Sequence, residues 1–442
     1  MKTLLLHGNL IDVEHGGRLL TDKNLLLDGE TIAEIGVGEQ TPADNIIDLN
    51  GSFVLPGLIN LHVHLFGTGM PSKVLGGGNL QQFLMRVLRS PLGPKIMDKI
   101  IAGNVQTQLL SGVTTIRAVG DFCYSDIHIR DKIRAGKLIG PRMLVSGPAI
   151  TVPGGHGDGT FAVTSADTAE LVSFVDRNAQ AGVDLIKICV TGGVMDAKEV
   201  GHPGELKMNL EQTKAVCDRA HALGLKVASH TESEEGLDIA LRGGVDTIEH
   251  GAAISDEMLA LYRKNQSAMV VTFSPCVPLS ILPPEITRLD DKATINTRVV
   301  GQGMADGANR ALAEDIPLGL GTDAACPLCT QYNTWRELVY VSRFCGVSPA
   351  KAICLATLGN AEIAGLDRET GSIVEGKAAD LLIVRENPLE DLRALRKAEY
   401  VFAKGRQFKN PKPKKIEKIE QWLDSIDFEQ LTFSDEKTGG NK

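Results

Sequence analysis

The chain has 442 residues, 43% hydrophobic and 23% charged, with 46 lysines and arginines against 55 aspartates and glutamates. That apolar fraction excludes bulk disorder, and a net charge of −9 argues against a nucleic-acid binder working through a basic surface. No apolar run reaches the ~18 residues that a membrane span needs.

The segment MKTLLLHGNL has three consecutive leucines before His7, too few for a signal segment, and the eight scattered cysteines read as reduced thiols. Both features fit a cytoplasmic protein. Cys326 and Cys329, in CPLC, have no second CxxC to complete a zinc or redox site and read as loop thiols.

Residues 1–57 alternate short apolar strands with Asp-Gly and Asn-Gly turns, in TLLLHGNLID, NLLLDGETIAEIG and NIIDLNGSFVLPG. The same vocabulary returns in GSIVEGKAADLLIV and AEYVFAKGRQF. Residues 1–57 and 366–410 are therefore expected to build one small β-sandwich domain from both termini.

Residues 58–365 have another rhythm. Eight apolar runs predict strands: LINLHVHL (58–65), TTIRAVG (114–120), RMLVSGPAIT (142–151), LIKICV (185–190), KVASHT (226–231), DTIEH (246–250), AMVVTF (268–273) and PLGLGTD (317–323). Helix-length segments such as TAELVSFVDRNAQAG, LEQTKAVCDRAHALG and DEMLALYRKN separate them. Eight strand–helix units predict an α/β fold, a (β/α)8 TIM barrel. The rival doubly wound sheet lacks a G-x-G-x-x-G after its first strand.

Two loops are expected to shape the mouth. FGTGMPSKVLGGGNLQQFLMRVLRSP (66–91), with an amphipathic LQQFLMRVL helix, is a candidate lid or substrate wall; SPCVPLSILPPEITRLDD (274–291) follows strand seven. Residues 411–442 form a helical tail. IEKIEQWLDSI sets Ile416, Ile419, Leu423 and Ile426 on one face beside Trp422, to dock on the body or on a second copy in a homo-oligomer. The final SDEKTGGNK is expected to be disordered.

The chemistry gathers at strand ends. His62 and His64, two apart on a strand, share one face, and in a barrel that face is the interior near the end where active sites form. Two inward imidazoles chelate a metal. Lys187 interrupts an apolar strand, where a charge is costly unless paired or removed. His230 and His250 end two further strands, and Asp323 ends the glycine-rich eighth. These six side chains would meet at one mouth and hold metal. A metal there lowers the pKa of bound water, and Asp323 could carry a proton from that water to a leaving nitrogen.

The arrangement resembles the amidohydrolase superfamily over nearly the whole chain, through LPGLINLHVH, TGGVM after Lys187, IEHG, GTDA and ATLGNAEIAGLDRETGSIVEGKAADLLIV. The resemblance implies that Lys187 carries a CO2-derived carbamate bridging two divalent ions, zinc by donor type. His62, His64 and Asp323 would hold the more buried ion, and His230 and His250 the second. A hydroxide between the ions would then attack a C–N amide bond of a small molecule, with Asp323 and Lys187 as catalytic residues. Mononuclear deaminases of the superfamily lack the lysine and carry a glutamate three residues after the strand-five histidine, where this chain has Ser233. All six ligand positions are filled, which argues against an inactive scaffold.

Within the superfamily, VPGGHGDG, KICVTGGVM and VASHTES are similar to the imidazolonepropionase-like branch with its prolidase-like dipeptidases and carboxypeptidases. That branch implies a dipeptide or N-acyl amino acid as substrate, with a lactam or imidazolone as the alternative. It also implies that His156 contacts substrate; otherwise His156 is a loop residue among glycines. Those peptidases place Tyr or His two residues after the strand-five ligand, where this chain has Glu232. Glu232 either faces the mouth, favouring a cationic or hydrogen-bond-donating substrate group, or pairs with Arg117. Arg117 in turn binds a substrate carboxylate or pairs with Asp121.

Overall fold

The computed structural model describes residues 1–71, 85–88, 90–428 and 431–433. Residues 72–84 and 89 of the expected 66–91 wall, and the expected disordered end, lie outside the described residues; within the expected LQQFLMRVL helix, residues 85–88 are helical.

Strands β1 (Lys2–Asp12), β2 (Arg18–Asp28), β3 (Thr31–Ile35), β4 (Asn45–Asp48) and β5 (Phe53–Pro56) open the chain. The barrel strands follow: β6 (Leu58–Val63), β7 (Val113–Ala118), β8 (Arg142–Val145), β9 (Ala149–Thr151), β10 (Ala162–Thr164), β11 (Leu185–Cys189), β12 (Lys226–Thr231), β13 (Thr247–His250), β14 (Ala268–Val271) and β15 (Leu318–Leu320). Strands β16 (Leu381–Val384), β17 (Ala398–Ala403) and β18 (Arg406–Lys409) return to the first group.

The terminal strands form one eight-stranded sheet, ordered β18-β17-β16-β5-β1-β2-β3, with β4 on β1. It is a single sheet rather than two separate ones. It rolls until Ile32 N–H bonds the Lys377 carbonyl, and its inner face buries Leu5, Leu25, Leu381 and Phe402 together. The chain passes from β5 to β6 through Gly57, which lies so close to Thr114 that a Cβ would sit 2.2 Å from its hydroxyl.

In the barrel, β6, β7 and β8 pair in parallel, and β9, β11, β12, β13, β14 and β15 continue in parallel. The fully buried pattern of β11 is that of a strand covered on both faces. Closure comes from the eighth strand's end: Thr322 and Asp323 N–H donate to the His62 carbonyl, and His64 N–H to that of Ala324. Gly321 permits this approach, because a Cβ there would stand 2.3 Å from that of His62.

The helices stop and start where local chemistry directs. Asp167 caps Thr168–Ala181 by accepting from Glu170 N–H, and Gly182, at φ 84°, ends it in the left-handed region. Asn209 and Gln212 form a capping box for Leu210–Ala222. The expected third strand, 142–151, is broken in two. Gly147 sits at φ 62° against the Tyr124 ring, and Pro148 has no N–H for a ladder.

The tail helix Glu417–Asp424 docks on the barrel. Ile419, Leu423 and Ile426 join the main core, while Glu420 accepts from Asn333 and Asp424 pairs with Arg336 and Arg396. Among the described residues no helix is long and apolar enough to cross a membrane, and none of the eight cysteines is in a disulfide.

Candidate metal centre

Six side chains from five strand ends converge at the mouth, as the strand reading anticipates. His62 belongs to β6 and His64 follows it; Lys187 lies in β11, His230 in β12, His250 ends β13, and Asp323 follows β15. Simple alternation would point His250 away from the face that Thr247 and Glu249 share. His250 instead has φ 65°, and Asp323 has φ 51°. Left-handed backbone costs on the order of 1–3 kcal/mol per bulky residue and is retained where the surroundings require it. Here it turns both side chains inward.

Two groups of ligand atoms result. Those of His62, His64 and Asp323 lie within 4.8 Å of one another, and so do those of His230, Glu232 and His250. The groups adjoin, with ring centroids of His62 and His250 4.7 Å apart and those of His230 and His250 4.6 Å apart. Lys187, 1% exposed, has a buried Nζ with no hydrogen-bond partner among the described residues.

The imidazoles are oriented from behind. His62 Nδ1–H donates to Glu249 Oε2 at 2.7 Å, and His64 Nδ1–H to the Gly120 carbonyl at 2.7 Å. His250 Nδ1 bonds Thr272 Oγ1 at 2.7 Å. These three present Nε2 to the site. His230 is reversed: its Nε2 bonds the Gly192 carbonyl at 3.2 Å, which leaves Nδ1.

Burial sets the charge states. It holds His62 and His230 well below the ordinary imidazole value, helped by Lys187 beside His62 and by His156 beside His230. It holds His250 at about 3. Neutral imidazole is the ligand form. Burial also lowers the pKa of Lys187. Burial opposes ionisation of Asp323, but its contacts with His64, His62 and His250 outweigh burial and keep its carboxyl below the usual range. Buried neutral imidazoles, a carboxylate and an unpartnered amine fit a pair of divalent cations.

The remaining expected residues divide. His156 stacks on His230, with centroids 4.0 Å apart and planes 4° from parallel, and its Nδ1–H donates to Asp196 Oδ2 at 2.6 Å. Burial works against its protonation, yet Asp196, with Glu232 and Asp323 beyond, raises its pKa. Glu232 faces the mouth, and its Oε2 has no hydrogen-bond partner among the described residues. Burial pushes its carboxyl up to about 8, with His156 opposing.

Arg117 requires a correction. It is 4% exposed and commits its guanidinium inward, to the Leu61 carbonyl, Thr247 Oγ1 and Glu249 Oε1. It contacts neither a substrate position, nor Asp121, nor Glu232; Asp121 instead accepts from Leu65 N–H. Glu249 thus links Arg117 to His62. That link escaped the sequence reading, although an acidic residue inside an apolar strand is the same kind of signal as Lys187. Asp196 carried no comparable mark, because it comes from a separate loop. Ser233 caps the helix Glu234–Gly243 by accepting from Gly236 N–H. Cys326 packs beside Cys329, and burial raises the pKa of the Cys329 thiol.

Comparisons with known proteins agree with this geometry. The model of the amidohydrolase family matches residues 53–408. A candidate prolidase from Bifidobacterium longum is 37% identical in its crystal structure, which superposes with a TM-score of 0.83 over 96% of this chain and 98% of that one. A Xaa-Pro dipeptidase structure with methionine bound in its active site is 29% identical, TM-score 0.78, over 92% of this chain and all of that one. Ochratoxinase from Aspergillus niger is 22% identical over 93% of this chain and 87% of its own. The chain belongs to the amidohydrolase family and is a metal-dependent hydrolase of carbon–nitrogen bonds.

Proposed function

We propose that the protein hydrolyses the amide bond of a dipeptide or an N-acyl amino acid, yielding a carboxylic acid and a free amine, with two divalent ions, zinc by preference, in its mouth. The observation that carries this reading is Lys187. A buried amine without a partner among the described residues, its pKa lowered by burial, is shifted towards the neutral form that adds carbon dioxide. A carbamate on Lys187 would supply two further oxygens for the ions, which His62, His64 and Asp323 would hold on one side and His230 and His250 on the other.

The ions, when bound, polarise the scissile carbonyl and acidify the attacking water. The chain's own groups do the rest. Asp323, ionised, accepts a proton from the attacking water and delivers it to the leaving nitrogen, so the amine departs neutral. Glu249 fixes the ring of His62 and Thr272 that of His250, so neither must reorganise during the reaction. Asp196 favours the protonated form of His156, in which Nε2–H is offered to a substrate oxygen. Phe66 and Phe161, stacked 5.8 Å apart beside His64, supply an apolar wall for the leaving residue.

The test is turnover by metal-loaded protein of Xaa-Pro dipeptides, N-acyl amino acids and lactams. Cleavage of the open-chain amides is expected. Turnover of lactams alone would overturn the reading in favour of a cyclic-amide hydrolase.

A further inference from the structure

Beside the metal centre lies a cavity of 520 Å3 whose wall includes Glu232, Glu199, Glu205, Glu234 and Glu235. Among the described residues Lys198 is the one lysine of the wall, and it is already paired with Glu205 at 3.1 Å. His202 is the other basic residue in the wall. The cavity is therefore acidic. The loop that roofs it lies directly on Glu232: Gly204, at φ 72°, is so close that a Cβ would stand 2.5 Å from the Glu232 carbonyl oxygen.

Glu232 belongs to both places. One of its carboxylate oxygens lies within 4.8 Å of the ligand atoms of His230 and His250, and the residue is also part of the cavity wall. Its Oε2 is buried without a partner among the described residues. A buried carboxyl with an unpartnered oxygen is costly to ionise until a counter-charge reaches it.

Covalent geometry says which substrate group can reach it. In a dipeptide the α-nitrogen is about 2.5 Å from the scissile carbonyl carbon. A carbonyl held at the His230–His250 side therefore carries its α-nitrogen to the neighbourhood of Glu232. We propose that Glu232 receives the α-ammonium of the substrate, drawn by the acidic surroundings, so the enzyme is selective for dipeptides with a free amino terminus. This rests on the dipeptide reading above and narrows it, excluding N-acyl amino acids as preferred substrates.

The experiment compares one dipeptide with its desamino analogue, which replaces the ammonium by hydrogen, on metal-loaded wild type and Glu232→Gln. Metal content is measured in both proteins, and binding of a non-hydrolysable phosphonate dipeptide, with and without its amine, by calorimetry. Wild type should prefer the free amine in kcat/KM and in affinity by at least about tenfold. In Glu232→Gln both preferences should fall towards one while two metals per chain remain. Equal use of the two substrates by wild type overturns this inference and leaves amide hydrolysis standing. Loss of one metal in Glu232→Gln overturns it too, by making Glu232 a metal ligand. If neither dipeptide is cleaved while other amides are, the dipeptide reading falls and takes this inference with it.

Discussion

Glu249 shows how much of a metal centre lies behind its ligands. Its two oxygens join His62, Thr247 and Arg117, all buried. Glu249→Gln keeps the shape but removes the charge that orients the His62 ring and balances Arg117. Competition with a chelator should show metal affinity lower by about 10–100-fold. Wild-type affinity in this variant would mean that the ring is held by packing alone. At this scale the sequence was most informative for residues whose chemistry clashes with their surroundings: imidazoles at strand ends and a lysine in LIKIC. It was least informative for Arg117, because a guanidinium at a strand end suits a substrate carboxylate as well as an internal one. Only the position of Glu249, on a strand 132 residues away, decides between them.

At the scale of elements, the site depends on close backbone approaches. Gly321 brings the eighth strand against His62, and the hydrogen bonds it permits carry Asp323 into place. Gly321→Ala should destabilise the fold by about 1–3 kcal/mol, because neither neighbouring backbone can retreat freely. A lowered melting temperature together with lost metal is the expected result. Wild-type melting with a full metal complement would show that the approach is not needed. The alternation of apolar strands and helix-length segments made the barrel legible, and Asp167, Asn209 and Ser255 each cap a helix in it. Two local departures were not legible. The third strand breaks at Gly147–Pro148, and His250 turns inward through a left-handed backbone, against the period of its strand. Both depend on tertiary neighbours, Tyr124 in one case and the assembled mouth in the other.

For the whole molecule, the buried histidines tie stability to pH. The folded pKa of His250 is about 3 against 6.5 for an ordinary imidazole, and those of His62 and His230 are also lowered. As pH falls below 6.5, the unfolded chain takes up protons that the folded chain refuses. The metal-free protein therefore keeps this stability above pH 6.5 and loses it progressively as pH falls towards 3. Its denaturant midpoint should be lower at pH 5 than at pH 8, and an equal midpoint at the two would contradict the burial of neutral imidazoles. The architecture at this scale was readable because both termini share one strand vocabulary. The rolled single sheet was not, since its closure depends on Ile32 meeting Lys377, far along the chain.

The most direct measurement is the metal content of purified protein and of Lys187→Ala, by elemental analysis after loading with zinc. Two ions per chain in the wild type and no more than one in the variant are expected, with amide turnover in the variant lower by at least about a thousandfold. Two tightly held ions in Lys187→Ala would contradict a centre bridged by this lysine.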